Sequence, residues 1–348
     1  MEGLARGGDM AREMREQPEA VRRTLLHARD RLAVLRARLG AADLVLLLGR
    51  GSSRAAAMYG AHALQAVAGV PAFALSPTTL GRRGAPLPLD RALVVCVSQS
   101  GESRELVEAA ERVPSERLLV VTNAPDSTLA GLADEAAVLD CAAGPERAVP
   151  ATKTLTTSLA WLFALAAAEA PGLFADAAVA LPELLHAAVS QPAPELVSPG
   201  CSGLVVAGEG LGEAVALEGS IKLAETLCVP AATFETSDLF HGSVNMAGPG
   251  VGVIAVGLDL DGRRLAGRAL DAAAARGATT AYVGIDPAPW ASRRATLPPL
   301  DPALLAIAAV PHLQVAAHAA ALAAGLDPDR PSGLSKVTDI GAPDRNAA

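Results

Sequence analysis

The chain has 348 residues, more than one hydrophobic core usually supports, and 51% of them are hydrophobic although only 3% are aromatic. Its formal net charge is −8 and no run of Lys and Arg with interleaved aromatics occurs, which argues against nucleic acid as a partner. The apolar stretch 158–170 stops at Pro171, the N-terminus lacks a signal-peptide core, and Cys96, Cys141, Cys201 and Cys228 show no metal-ligand or CxxC spacing. The reading is a cytoplasmic protein with no membrane span, reduced thiols and no metal.

Residues 1–39 read as an N-terminal helical segment. DLVLLLGRGSS (43–53) is then an aliphatic strand ended by glycines and followed by a helix, and ALVVCVS (92–98) is another strand that runs into SQSGES. AVP at 148–150 precedes ATKTLTTS (151–158), the start of an alanine-rich helix. The Pro-rich stretch within 190–202 reads as a linker. Beyond it the plan recurs: GLVVAGEGLGEAVALEGSIKLAE (203–225), VGVIAVG (251–257), and a second AVP at 309–311 that is expected to open another alanine-rich helix. An internal duplication of roughly 160 residues follows. Strands alternating with helices make 40–189 and 203–324 two α/β domains, each a parallel sheet with helices on both faces, with 325–348 as a tail. Ligands then belong at the carboxyl ends of the strands.

The two halves differ at those ends. The first carries Gly51, Ser52 and Ser53, then Ser98, Gln99 and Ser100, with Ser103 following; the second carries GEGLG and GLDLD, whose carboxylates would repel an anion. Hydroxyls and first-turn N–H groups around one point make a phosphate cradle, although one such serine cluster alone serves equally to cap a helix. GRGSS lacks the third glycine of a dinucleotide fingerprint, Arg54 standing in its place. Two hydroxyl-rich strand ends, with Ala151 and Thr152 opening a third polar segment, favour a phosphorylated sugar or polyol. Glu218, Lys222 and Glu225 fall at i, i+4 and i+7 on one helix face, a pattern shared by solvated salt-bridge stripes and by catalytic sets. His241 sits in a loop before a glycine, and Lys336 in the tail between Leu334 and Val337.

In order, GxGSS, SQSGES, ATKTLTTSL, ALEGSIKLAE, HG and GLSKVT resemble the double sugar-isomerase (SIS) domain proteins, notably the isomerase half of glucosamine-6-phosphate synthase and the class II glucosamine-6-phosphate deaminases. The resemblance implies two flavodoxin-like domains and a homodimer with sites near the interface. It places the sugar phosphate on Ser52, Ser53, Ser98, Gln99, Ser100 and Ser103. Glu225 matches the base that moves a proton between C1 and C2, His241 a ring-opening histidine reaching in from the neighbouring subunit, Lys336 a tail lysine able to form a Schiff base, and Lys222 a helix lysine that positions the substrate. Such a set needs neither metal nor cofactor.

The synthase carries an N-terminal glutamine amidohydrolase domain for which about 40 residues before the first strand leave no room. Deamination of glucosamine 6-phosphate to fructose 6-phosphate and ammonia is therefore the leading expectation, with a fructosamine-6-phosphate deglycase or a noncatalytic sugar-phosphate sensor as alternatives. Three departures stand out: Ser243 replaces the proline of HGP, Ala151 replaces a serine before TK, and Phe240 and Asn245 alter the histidine loop.

Overall fold

The computed structural model describes residues 6–81, 87, 89–192 and 195–336. The tail predicted for 325–348 is thus described as far as Lys336.

Helix α1 (Gly8–Gly40) leads into the first half: β1 (Leu44–Leu48), α2 (Ser52–Ala63), β2 (Ala72–Leu75), α3 (Pro77–Gly81), β3 (Ala92–Val97), α4 (Arg104–Ala110), β4 (Leu118–Thr122), β5 (Val138–Asp140), α5 (Lys153–Ala166) and α6 (Pro171–Ser190). The second half contains β6 (Gly203–Gly208), α7 (Leu211–Leu227), β7 (Ala231–Glu235), α8 (Thr236–Leu239), β8 (Val251–Gly257), α9 (Leu260–Ala274), β9 (Thr279–Ile285), β10 (Arg294–Leu297) and α10 (Pro302–Ala323). Each half forms a five-stranded sheet, in the orders β2-β1-β3-β4-β5 and β10-β9-β8-β6-β7, and every pairing is parallel. Traced in chain order the two are the same topology, the 2-1-3-4-5 of a flavodoxin-like sheet.

The repeat extends to single backbone angles. Gly51 (φ 53°, ψ −130°) and Gly210 (φ 53°, ψ −118°) make the same turn from the first strand of each half into its helix. Two residues earlier, a Cβ on Gly49 or Gly208 would lie 2.1 Å from the carbonyl oxygen of Ser53 or Gly212 respectively. Only glycine fits either position.

Alternate strand residues separate the core into layers. In β3, Leu93, Val95 and Val97 face inward, with Leu204, Val206, Ile254 and Val256 of the second sheet in the same apolar cluster, which takes in α1, α2, α5, α6, α7 and α10. Val94 and Cys96 face the other way, onto α4, while Val205, Ala207, Val253 and Ala255 face α9. The two sheets thus share one inner helical layer, and 190–202 connects halves whose cores are continuous. Burial pushes the Cys96 thiol up to about 12 and the Cys141 thiol up to about 11, and all four cysteines are free.

Two expectations need correction. AVP at 309–311 lies inside α10 and does not open it; the helix starts at Pro302, where Asp301 accepts a hydrogen bond from Ala303 N at 2.9 Å. Proline is tolerated at that first position because its missing N–H has no partner to lose. Second, α6 and α10 are both long and apolar enough to cross a membrane. Most of α10 is buried against α7 and α6, so packing within the fold accounts for its apolar surface; α6 turns Phe174, Ala177, Leu181 and Leu185 into the inner layer, with about a third of its apolar stretch buried.

Tyr59 of α2 donates to the carbonyl of Ala303 in α10 at 2.9 Å across this layer. Tyr59→Phe should lower unfolding free energy by about 1 kcal/mol. Because the core is continuous, denaturant curves should coincide for single-tryptophan variants that keep either Trp161, in α5, or Trp290, after β9. Two separated transitions would contradict the shared core.

Candidate functional site

β1 and β3 are neighbours, but the chain leaves β1 for α2 on the inner layer and β3 for α4 on the outer one. This divergence opens a crevice at the carboxyl ends of the two strands. The cleft there measures about 610 Å3. Of the residues singled out in the sequence, Gly51, Ser52, Ser53, Ser98, Gln99, Ser100, Ser103, Ala151, Glu225 and Lys336 all line it.

The hydroxyls are only lightly engaged. Ser98 Oγ accepts from Gly101 N at 3.1 Å and lies 3.5 Å from Ser103 Oγ, while Ser100 Oγ accepts from Glu102 N at 3.3 Å. Ser103 occupies the N-cap of α4 without a side-chain capping bond, so the capping alternative does not account for it. Gly101 has φ 65°, and a Cβ there would fall 1.9 Å from Ser127 Oγ. Arg50, quoted in a motif but given no role, and Arg104, which follows SQSGES, also line the cleft. Both are paired: Arg50 grips Glu105 through Nε (2.8 Å) and a terminal nitrogen (3.1 Å), and Arg104 Nε meets Glu108 at 2.8 Å.

The second half contributes α7, which packs against α2 and carries Glu225 into this cleft. Lys222 is fully buried; its Nζ donates to Glu225 at 2.5 Å and lies 3.7 Å from Glu218. Burial pushes the Lys222 ammonium down, but the Glu218 and Glu225 carboxylates outweigh it and the net shift is upward. Glu218 is buried with neither carboxylate oxygen hydrogen-bonded. Burial raises it to about 7, against the pull of Lys222. The face at i, i+4 and i+7 is therefore a buried charge chain with one end in the cleft.

The tail closes another side. Lys336 Nζ donates to Glu146 Oε2 (2.8 Å) and to Ala148 O (2.7 Å). Burial alone would raise the Glu146 carboxyl, yet Lys336 and the Thr152 and Thr154 donors hold it below its ordinary value. No spacing rule finds Glu146, because its partner lies 190 residues away.

Besides Lys222, which is buried behind Glu225, two expected residues stand elsewhere. Thr152 is buried, and both its N–H (2.9 Å) and its hydroxyl (3.3 Å) donate to Glu146 Oε1, so it supports the cleft from behind and does not face it. His241 is exposed in the turn after α8, its N–H donating to Asp238 O, and does not line the cleft of its own chain. In the second half Glu209 accepts from Ser237 N and Oγ, and Asp259 caps α9 through Gly262 N. Those carboxylates serve structure.

Residues 39–168 match the SIS domain. A protein assigned as a phosphosugar isomerase, from Silicibacter pomeroyi DSS-3, superposes with a TM-score of 0.79 at 31% identity, over 92% of this chain and 99% of that one. The chain belongs to the SIS-domain phosphosugar isomerase family. Among its SIS relatives, glutamine–fructose-6-phosphate aminotransferase [isomerizing] of Bacillus subtilis strain 168 is 30% identical over 95% of this chain, which spans only 58% of that enzyme's length. Glucosamine-6-phosphate deaminase of Thermotoga maritima shares the fold, with a TM-score of 0.75 at 20% identity over 94% of this chain and 98% of that one.

Two variants test this geometry. Gly101→Ala should cost about 2–4 kcal/mol of stability through overlap and left-handed strain, read from denaturant midpoints. A carboxyl raised from 4.5 to about 7 on folding weakens the fold as pH climbs through that interval, because the unfolded chain ionises first. Glu218→Gln should therefore gain stability over the parent progressively from about pH 4.5 to 7 and hold that gain above it. A pH-independent difference would refute the assignment.

Proposed function

We propose that this chain is an amino-sugar-phosphate isomerase that acts as a deaminase, converting glucosamine 6-phosphate and water to fructose 6-phosphate and ammonia. The observation that carries this reading is Glu225, a partly exposed carboxylate held by buried Lys222 in the same cleft as the serine-rich strand ends. A phosphate bound by Ser52, Ser53, Ser98, Gln99, Ser100 and Ser103 would anchor the open-chain sugar within reach of that carboxylate. The neutral hydroxyls and first-turn amides supply donors while Arg50 and Arg104 remain neutralised.

In this reading Glu225 takes the proton from C2 and returns it to C1, turning the amino aldehyde into a C2 imine. Lys222 orients the carboxylate, and the Lys336 cation faces the charge that develops on the enolamine. Water adds at C2 and ammonia leaves. His241, remote from its own cleft, is assigned to ring opening in the cleft of a second copy within a homodimer. The names of the Bacillus subtilis and Thermotoga maritima relatives agree on an amino or ammonia group at a hexose 6-phosphate.

A cleft of about 610 Å3 falls mid-range for small-molecule sites and admits a substituent on the sugar nitrogen. Removal of such a substituent from a fructosamine 6-phosphate, by the same glutamate, is the second reading.

The test is release of ammonia and fructose 6-phosphate, in equal amounts, from glucosamine 6-phosphate with no glutamine present. Glu225→Gln should lower turnover by about 100-fold or more while sugar-phosphate binding is retained. Unchanged turnover in that variant would remove Glu225 from its role, and binding without release by the parent chain would shift the reading to the deglycase.

A further inference from the structure

The Glu146 carboxylate performs several tasks in one buried place. Its side chain is fully buried. Oε1 accepts from Thr152 N (2.9 Å), Thr152 Oγ1 (3.3 Å) and Thr154 N (3.1 Å), which ties down the start of α5; Oε2 accepts from Thr154 Oγ1 (2.6 Å) and Lys336 Nζ (2.8 Å). A carboxylate so placed is stable as an anion only because these donors surround it, and Lys336 is the only full charge among them.

We infer that Glu146 is the positioning residue for the tail lysine: its buried carboxylate grips Lys336 Nζ and so latches the segment 333–336 over the cleft. The tail is anchored further back by Asp329, whose carboxylate accepts from Asp9 N (3.0 Å) and Met10 N (2.7 Å) and whose carbonyl accepts from Val149 N (2.9 Å). Past Asp329, Leu334, Ser335 and Lys336 themselves form part of the cleft wall. Nζ spends two hydrogens on Glu146 and Ala148 O.

Other charges bear on the pair. Glu13 of α1, buried and accepting from Arg147 N and Ala148 N, faces the same pocket, and Lys222 feels the Glu146 charge from α7. Glu13 is itself raised, chiefly by burial, so it competes weakly for Lys336. The consequence for catalysis rests on the reading proposed above; the latch does not.

The experiment therefore uses no substrate. Glu146→Gln keeps the shape and an acceptor for the α5 amides but removes the charge. At pH 7, acylation of Lys336 by an amine-selective reagent, followed by mass spectrometry, should be about tenfold faster or more in Glu146→Gln than in the parent, since an Nζ released from its buried carboxylate partner is open to the reagent for more of the time. Glu146→Asp, which keeps the charge, should restore most of the slow labelling. Lys336→Gln leaves the α5 cap untouched and should speed amide hydrogen exchange across 333–336 without changing exchange within α5.

Unchanged Lys336 labelling in a folded Glu146→Gln protein would reduce Glu146 to a helix cap and overturn the inference. Should that variant not fold, Lys336→Gln decides: unchanged exchange at 333–336 also overturns it. Failure of ammonia release from glucosamine 6-phosphate would instead count against the proposed reaction and leave the latch standing.

Discussion

Helix α7 packs on α2 between two parallel sheets, and most of the geometry around the cleft depends on that contact. The approach runs through small side chains, Ala55 on one helix and Ala214 on the other, bordering a void of only about 10 Å3. With the helices this close, the first turn of α2 and the last turns of α7 meet at the carboxyl edge of the first sheet. Glu225, a residue of the second half, therefore lines a cleft whose other walls come from the first half and from the tail. Neither half holds this set alone, because the first supplies hydroxyls without a suitably placed base and the second has carboxylates where the first has serines.

The same contact sets the electrostatics. The polar stripe of α7 turns into the inner layer, so Glu218 and Lys222 are buried while Glu225, at the end of the stripe, stays partly exposed in the cleft. Glu218 and Lys222 cannot be hydrated, and they stand as charges only in relation to each other and to Glu225. The tail repeats the logic, with Glu146 and Lys336 joining segments nearly two hundred residues apart through one buried ion pair. Both pairs end at the cleft. An arrangement that confines ionised groups where water is scarce strengthens any field they exert on a bound sugar.

Much of the architecture is legible without coordinates, and the reasons are local. Glycines 49 and 51 and their counterparts 208 and 210 report backbone positions that no other residue tolerates, and they mark the repeat. Aliphatic runs such as 92–97 are apolar at every position because both faces of a parallel strand are covered. Serines at strand ends point to the carboxyl edge, and all of those singled out line the cleft. The misreadings are equally local. AVP at 309–311 imitates a helix start because proline favours first turns, but nothing in the segment reveals that the helix is already about two turns old. Thr152 sits in a motif beside the cleft, yet its hydroxyl turns to a carboxylate that the motif does not contain.

The sequence by itself determined the α/β repeat, the sheet edge that carries the cleft and the residue types there, since backbone constraints, hydrophobic period and polar strand ends act over a few neighbouring residues. Tertiary structure alone decided that the two cores are continuous, that Glu218 and Lys222 are buried while Glu225 beside them reaches the first half's cleft, that Arg50 is already paired with Glu105, and that Glu146 holds Lys336. Each of these depends on which distant surfaces meet, and a buried charge takes its partner from whatever packing brings within about 3–4 Å.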